Sequence, residues 1–219
     1  MLDDYLKIID RCSTPHGEIQ LQRRGTEYEI ISNGTFLMAT YNGESEKLLV
    51  KAALDACGKD KCSVLIGGLG VGYSLAEAIG DARTEQVIVV EIEEKIIDWY
   101  RSIFAEFTGN AVDNKKANII HADLIQWISQ TQETFDAICL DIDNGPDWTV
   151  FQENKCLYGD EGLKTLSRLL KPNGVISFWS SSSSADFLER LHIHFSTVTT
   201  LSIDTNQSEE PDFIYLSKL

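Results

Sequence analysis

Long apolar runs are missing from this chain of 219 residues. No stretch approaches the roughly 18–20 consecutive apolar residues of a membrane span. The start, Met-Leu-Asp-Asp-Tyr, lacks the basic-then-apolar build of a signal peptide. A cytoplasmic location without membrane contact is expected. Basic residues are also scarce: 19 Lys and Arg stand against 34 Asp and Glu, a formal net charge of −15. Sequence-independent nucleic-acid binding, which needs basic side chains to neutralise phosphates, is therefore not expected, and neither is docking on anionic lipid. The acidic balance suits a cationic small substrate and serves solubility equally well. Five cysteines (Cys12, Cys57, Cys62, Cys139, Cys156) include no C-x-x-C pair or disulfide framework, and His16, His121, His192 and His194 have no ligand spacing, so no metal is expected. His192 and His194 read as surface residues. There is no internal repeat and no linker, and the length suits one large domain or one domain with a small appendage.

What is present centres on residues 62–93. The apolar run Cys62-Ser-Val-Leu-Ile ends in Gly67-Gly68-Leu-Gly70-Val-Gly72, a helical stretch follows, and Val87-Ile-Val-Val ends in Glu91, twenty-one positions after Gly70. Strand, glycine turn, helix, strand and acid in that order form a nucleotide-binding half-fold. Glycines let the backbone turn tightly and approach a ligand, and the helix N-terminus offers free N–H groups. The acid can accept hydrogen bonds from the two vicinal hydroxyls of a ribose.

Ahead of this unit, residues 1–11 read as a short amphipathic helix. Glu18–Gln22 and Glu27–Ile31 alternate like half-exposed strands, Ser32-Asn33-Gly34 is a hairpin turn, and Thr35–Tyr41 is the returning strand. A helix follows over 44–56. Beyond Cys62, strands are expected near 62–67, 86–91, 117–121, 135–141, 174–179, 195–202 and 212–217. Helices are expected near 73–80, 93–106, 123–130, 159–170 and 184–193, with Lys171-Pro-Asn-Gly174 a stop between helix and strand. The alternation implies an α/β fold: a doubly wound, mostly parallel seven-stranded sheet with a small N-terminal antiparallel β element. The domains divide at 1–58 and 59–219.

Ligands of such sheets bind beyond the carboxyl ends of the strands. Those ends carry Gly68 and Gly70, then Glu91, then Asp123, then Asp141 and Asp143. Asp123 reads equally well as a helix N-cap. Together these residues read as one site assembled from distant parts of the chain.

From residue 62 to about 200 the chain resembles the class I S-adenosylmethionine-dependent methyltransferase fold, and in detail its spermidine synthase branch. Gly67-Gly68-Leu-Gly70-Val-Gly72, Val90-Glu91-Ile-Glu93, Ala122-Asp123, Leu140-Asp141-Ile-Asp143-Asn144-Gly-Pro146 and Leu169-Leu-Lys-Pro-Asn-Gly174 carry the resemblance. It implies S-adenosylmethionine or its decarboxylated form as the bound cofactor. Gly67, Gly68, Gly70 and Gly72 would lie against its methionine-derived part, Glu91 at the ribose and Asp123 at the adenine amino group. Asp141 and Asp143 would be catalytic beside the sulfonium, and Asn144, Trp148, Phe151 and Tyr158 would border the acceptor pocket. The resemblance also implies a small-molecule acceptor, an amine in the polyamine case, and a homodimer.

The chain departs from that branch in three places. Gly70 stands where an Asp is typical, Asn144 where the second Asp of Asp-x-x-Asp falls, and Ser45-Glu46-Lys47 where Tyr-His-Glu falls. The loss of these acids ranks methyl transfer slightly above aminopropyl transfer. A decayed, non-catalytic nucleotide-binding relative is a further reading. A nicotinamide-dependent oxidoreductase ranks last, because no Tyr-x-x-x-Lys follows and Asp123 and Asp141 would go unexplained.

Overall fold

The computed structural model describes residues 5–142, 144–149, 151–204 and 211–219. Four strands, β1 (Leu6–Thr14), β2 (Gly17–Arg24), β3 (Glu27–Ser32) and β4 (Thr35–Ala39), form an antiparallel meander. The β3–β4 turn follows from Asn33 and Gly34, both at positive φ (50° and 79°), as a tight two-residue hairpin requires. The helix expected over residues 1–11 is instead β1 from Leu6 onward. It pairs with β2 from Leu6 opposite Arg24 to Thr14 opposite Gly17, with a bulge between Ile8 and Asp10. The apolar spacing fits either structure. The free edge of β2 decides it, because pairing there satisfies backbone groups that a short isolated helix would leave marginal.

After α1 (Glu44–Cys57), the chain alternates β5 (Cys62–Gly67), α2 (Tyr73–Gly80), β6 (Thr84–Glu91), α3 (Glu94–Ser102), β7 (Ala117–His121), α4 (Leu124–Gln130), β8 (Phe135–Leu140), α5 (Asp160–Arg168), β9 (Leu170–Ser180), α6 (Ala185–His194), β10 (Thr197–Ile203) and β11 (Asp212–Lys218). The seven strands order as β10-β11-β9-β8-β5-β6-β7. The five from β9 to β7 run parallel, while β11 and β10 are antiparallel additions. This is the seven-stranded, mostly parallel sheet expected from the alternation. β5 and β8 are mostly apolar and almost wholly buried, as a covered parallel sheet demands, with the hydrogen-bonded pair Ser63 and Asp136 near their starts the polar exceptions. One apolar cluster fills each face: Val64, Ile66 and Val89 with Leu49, Ala53 and Tyr100 on one, Leu65, Ile88 and Ile138 with Leu163, Leu166 and Phe178 on the other.

Two boundaries differ from expectation. The helix expected over 93–106 stops at Ser102, and a 3-10 turn over Phe104–Thr108 follows. That turn sets Phe104 and Phe107 edge-on against Tyr28 of β3, so contact with the small sheet overrides helical continuation. The Lys171–Gly174 stop lies inside β9, because Leu170 already pairs with Phe135 before the chain bulges through Asn173 (φ 61°). Among the described residues no helix is long and apolar enough to cross a membrane.

The chain runs from β5 outward to β7 and then returns to place β8 on the other side of β5. The reversal opens a crevice between the carboxyl ends of β5 and β8. The small sheet closes the crevice from above. Trp99 Nε1 and Lys95 Nζ donate to Asp10 Oδ2 at 3.0 and 2.8 Å, and the Tyr73 hydroxyl donates to the Thr40 carbonyl.

Candidate functional site

A cavity of about 760 Å³ lies in that crevice, lined by Gly68, Gly70, Glu91, Asp123, Asp141, Asn144, Trp148 and Phe151 among others. Four separate strand ends therefore contribute to one space.

The glycine turn divides its labour. Gly68 (φ +89°) and Gly70 (φ +50°) line the cavity. A Cβ on Gly68 would lie 2.1 Å from the Asp141 carbonyl oxygen, so this glycine lets the ends of β5 and β8 come together. Gly67 and Gly72, expected at the cofactor, are not among the lining residues. Their space is taken by packing: a Cβ would meet Leu124 Cδ2 at 2.6 Å from Gly67 and the Tyr100 ring at 2.2 Å from Gly72. Over Gly70 sits Met38 of β4, whose Sδ is 2.9 Å from the Val71 nitrogen and occupies the place a Cβ would need.

Glu91 is buried at the end of β6, and each of its oxygens accepts a backbone N–H at 2.8 Å: Oε2 from Leu69 and Oε1 from Glu93. Burial raises its pKa and these N–H groups work against the rise. The carboxylate is thus fixed in orientation, with a lone pair on each oxygen still available for a diol. Asp123 is the N-cap of α4, its Oδ1 accepting from Ile125 N (2.8 Å) and Gln126 N (3.4 Å). It also lines the cavity, so the cap and the site are served by one side chain. Glu93 lines the same end, held by the Thr14 hydroxyl (2.9 Å) and His16 Nδ1 (3.0 Å) from the β1–β2 turn.

Asp141 follows β8 directly and opens onto the cavity. Burial in low dielectric pushes its pKa up to about 6; the Ser74 hydroxyl, donating to Oδ2 at 2.8 Å, opposes the rise, and Asp212 and Glu91 add to it. Asp143 lies outside the described residues. Asn144, Trp148 and Phe151 line the cavity; Trp148 is 58% exposed at its mouth, and Phe151 stands edge-on to His16. Tyr158 does not line it. The backbone turns into a 3-10 segment over Gln152–Tyr158, which drops the Tyr158 ring into the core against Phe187 and Phe178.

Sequence reasoning missed Met38, Glu46, Trp179 and Asp212, all of which line the cavity. Glu46 had a signal: an acid on the first turn of α1, on a face otherwise apolar. Asp212 had none, because β11 reaches this rim only through the antiparallel order of the sheet edge. Glu46 is 5% exposed, and burial, then the neighbouring Asp141, pushes its pKa up to about 8. Asp212 is 7% exposed and burial raises its pKa; the Ser45 hydroxyl and Trp179 indole beside it offset part of that rise. Neither satisfies Asp212 Oδ2, which has no hydrogen-bond partner among the described residues. Among the described residues no group of three His, Cys, Asp or Glu side chains is arranged to hold a metal ion.

The family model for the spermine/spermidine synthase domain matches residues 46–207. The chain belongs to that family. Within it, a polyamine aminopropyltransferase of Saccharolobus solfataricus is 31% identical over 138 residues, which is 63% of this chain and 45% of the relative. One from Prochlorococcus marinus is 26% identical over 147 residues, 67% of this chain and 49% of the relative. The chain thus spans about half the length of the curated relatives it matches. Among solved structures, spermidine synthase from Thermotoga maritima superposes with a TM-score of 0.79 at 16% identity, covering 97% of this chain and 72% of that one. A spermidine synthase in complex with the transition-state analogue AdoDATO gives 0.78 at 17% identity, with the same coverage. These two establish that the spermidine synthase fold is shared.

Proposed function

We propose that this chain holds the centre of a transferase that moves an aminopropyl group from decarboxylated S-adenosylmethionine to an amine. The observation that carries the reading is Asp141, at the reversal of strand order, open to a cavity lined by six carboxylates (Glu46, Glu91, Glu93, Asp123, Asp141, Asp212) and by no Lys, Arg or His among the described residues. Such a lining attracts a cationic acceptor and repels anionic ones. Family membership and relatives named polyamine aminopropyltransferases favour this transfer over methyl transfer. That reverses the ranking drawn from Gly70, Asn144 and Ser45-Glu46-Lys47.

In this reading Glu91 accepts hydrogen bonds from the ribose hydroxyls. Asp123 takes the adenine amino group on the oxygen its cap leaves free, and Gly68 and Gly70 let the backbone approach the sulfonium end. The donor supplies an already electrophilic carbon, so the protein's task is to align and deprotonate the acceptor. The amine nitrogen bonds to the aminopropyl carbon next to sulfur, and the carbon–sulfur bond breaks. Its electron pair stays on sulfur, leaving neutral methylthioadenosine. Asp141, with its pKa near 6, is ionised at neutral pH and takes the amine proton. The proposal retains the division at residues 1–58 and 59–219. It also retains a homodimer paired through the N-terminal hairpins, whose edge strand exposes Leu6 and Ile8.

The test incubates the protein with 1,4-diaminobutane and either decarboxylated S-adenosylmethionine or S-adenosylmethionine. Methylthioadenosine released from the decarboxylated donor is expected, with Asp141→Asn lowering the rate about 10²–10⁴-fold while nucleoside binding persists. Methylated amine from S-adenosylmethionine, with no aminopropyl product, would overturn the reading in favour of methyl transfer.

A further inference from the structure

Met38 is out of step with the strand that carries it. In the β3–β4 pairing Ile31 faces Phe36 but Ile30 faces Met38, so β4 bulges at Leu37. A bulge re-aims side chains. Here the consecutive residues Phe36, Leu37 and Met38 all line the cavity, where a regular strand would turn alternate residues away. Met38 is thereby brought onto the glycine turn: the Val71 N–H donates to its Sδ at 2.9 Å, and the Sδ fills the place of a Cβ on Gly70.

Two more N–H groups of the turn are engaged within the protein: that of Gly68 donates to the Val90 carbonyl at 2.9 Å and that of Leu69 to Glu91 Oε2 at 2.8 Å. Backbone N–H groups on such a turn are ordinarily the donors that hold an anionic group. In this chain the Val71 N–H is instead covered by a thioether, a weak acceptor without charge. No Lys, Arg or His lines the cavity among the described residues. A carboxylate brought to this end would exchange its water for an apolar thioether and gain little in return. A donor tail without a carboxylate makes no such demand.

We propose that Met38 sets the choice of donor: its thioether closes the Val71 N–H and the space over Gly70 that a donor carboxylate would need, so the site favours a nucleoside sulfonium whose tail lacks one. The inference rests on reading the cavity as the site of such a donor. It deepens that reading by assigning donor selectivity to a residue of the small sheet, over a turn whose Gly70 has no side chain to exclude anything. A hydrogen bond to a charged group is worth about ten- to a hundredfold in affinity. Covering or uncovering one N–H is therefore enough to change the preference between two donors that differ by a single carboxylate.

The experiment measures calorimetrically, on the full chain without acceptor, the affinities of decarboxylated S-adenosylmethionine, S-adenosylmethionine and methylthioadenosine. The unsubstituted chain is expected to bind the decarboxylated donor more tightly than the carboxylated one. Met38→Ala, and Met38→Val as a shortened side chain better suited to a strand, are each expected to shrink that preference about tenfold by opening the Val71 N–H to the carboxylate. Met38→Leu keeps the bulk over Gly70 and is expected to keep the preference. Methylthioadenosine, which has no charged tail, is expected to bind every variant alike, and thermal melts check folding. A preference unchanged in both shortened variants overturns the role of Met38. So does equal affinity for the two donors in the unsubstituted chain, or a Met38→Leu variant that loses the preference as fully as Met38→Ala. Methylthioadenosine binding that survives those results leaves the nucleoside site standing, whereas its absence removes that reading and this one together. A preference that depends on Met38 without aminopropyl turnover would leave the donor choice standing and remove the transfer.

Discussion

Replacing Glu46 by Gln should make the ligand-free protein more stable at pH 8 and leave it little changed at pH 5. Glu46 is buried at the base of α1 beside two other acids, and its pKa rises from 4.5 to about 8. Between those values the unfolded chain has released a proton that the folded chain keeps. Stability therefore falls as pH rises through this window, the reverse of the behaviour of a salt-bridged carboxylate. At about 1.4 kcal/mol per pH unit the whole effect is bounded near 5 kcal/mol. Asp141 shares the repulsion and titrates in the same range, so roughly half of that bound is expected for Glu46 alone. Gln matches the shape of Glu46 and can still accept from the Ser45 hydroxyl, so the variant should lie within about 1 kcal/mol of the parent at pH 5. Urea denaturation of both proteins from pH 5 to pH 8 measures the difference, and groups common to the two cancel. Parallel profiles, or a variant less stable at pH 8, would refute the claim that Glu46 is held protonated by its surroundings.

Gly70→Asp should lower stability by about 1–3 kcal/mol, because the residue sits at positive φ and its Cβ would collide with Met38 Sδ. Adding Met38→Ala should recover part of that loss in thermal melts, whereas no recovery would show that the backbone alone forbids a side chain there. Asp123→Ala should cost about 1 kcal/mol through loss of the α4 cap and should also weaken nucleoside binding. Asp123→Ser should restore the cap but not the binding, so stability and affinity measured on both variants separate the two roles.

The sequence by itself determined the nucleotide-binding half-fold and most of the order along the chain. Those features are local: a strand's apolar run, the glycines at its end and an acid after the next strand are close neighbours in sequence, and periodicity reads them directly. Glu91, Asp123 and Asp141 were legible because each ends a strand, and strand ends in a parallel sheet share one rim. Tertiary structure alone decided that residues 6–14 are a strand, since that depended on the free edge of β2 rather than on the segment's own apolar spacing. It also decided that Tyr158 turns into the core and that Gly67 and Gly72 serve packing against Leu124 and Tyr100. Above all it brought Met38, Glu46 and Asp212 to the cavity. Their positions follow from how the small sheet caps the large one and from the antiparallel return of β11, and no pattern within a single segment encodes which side chains two distant elements will turn toward the same space.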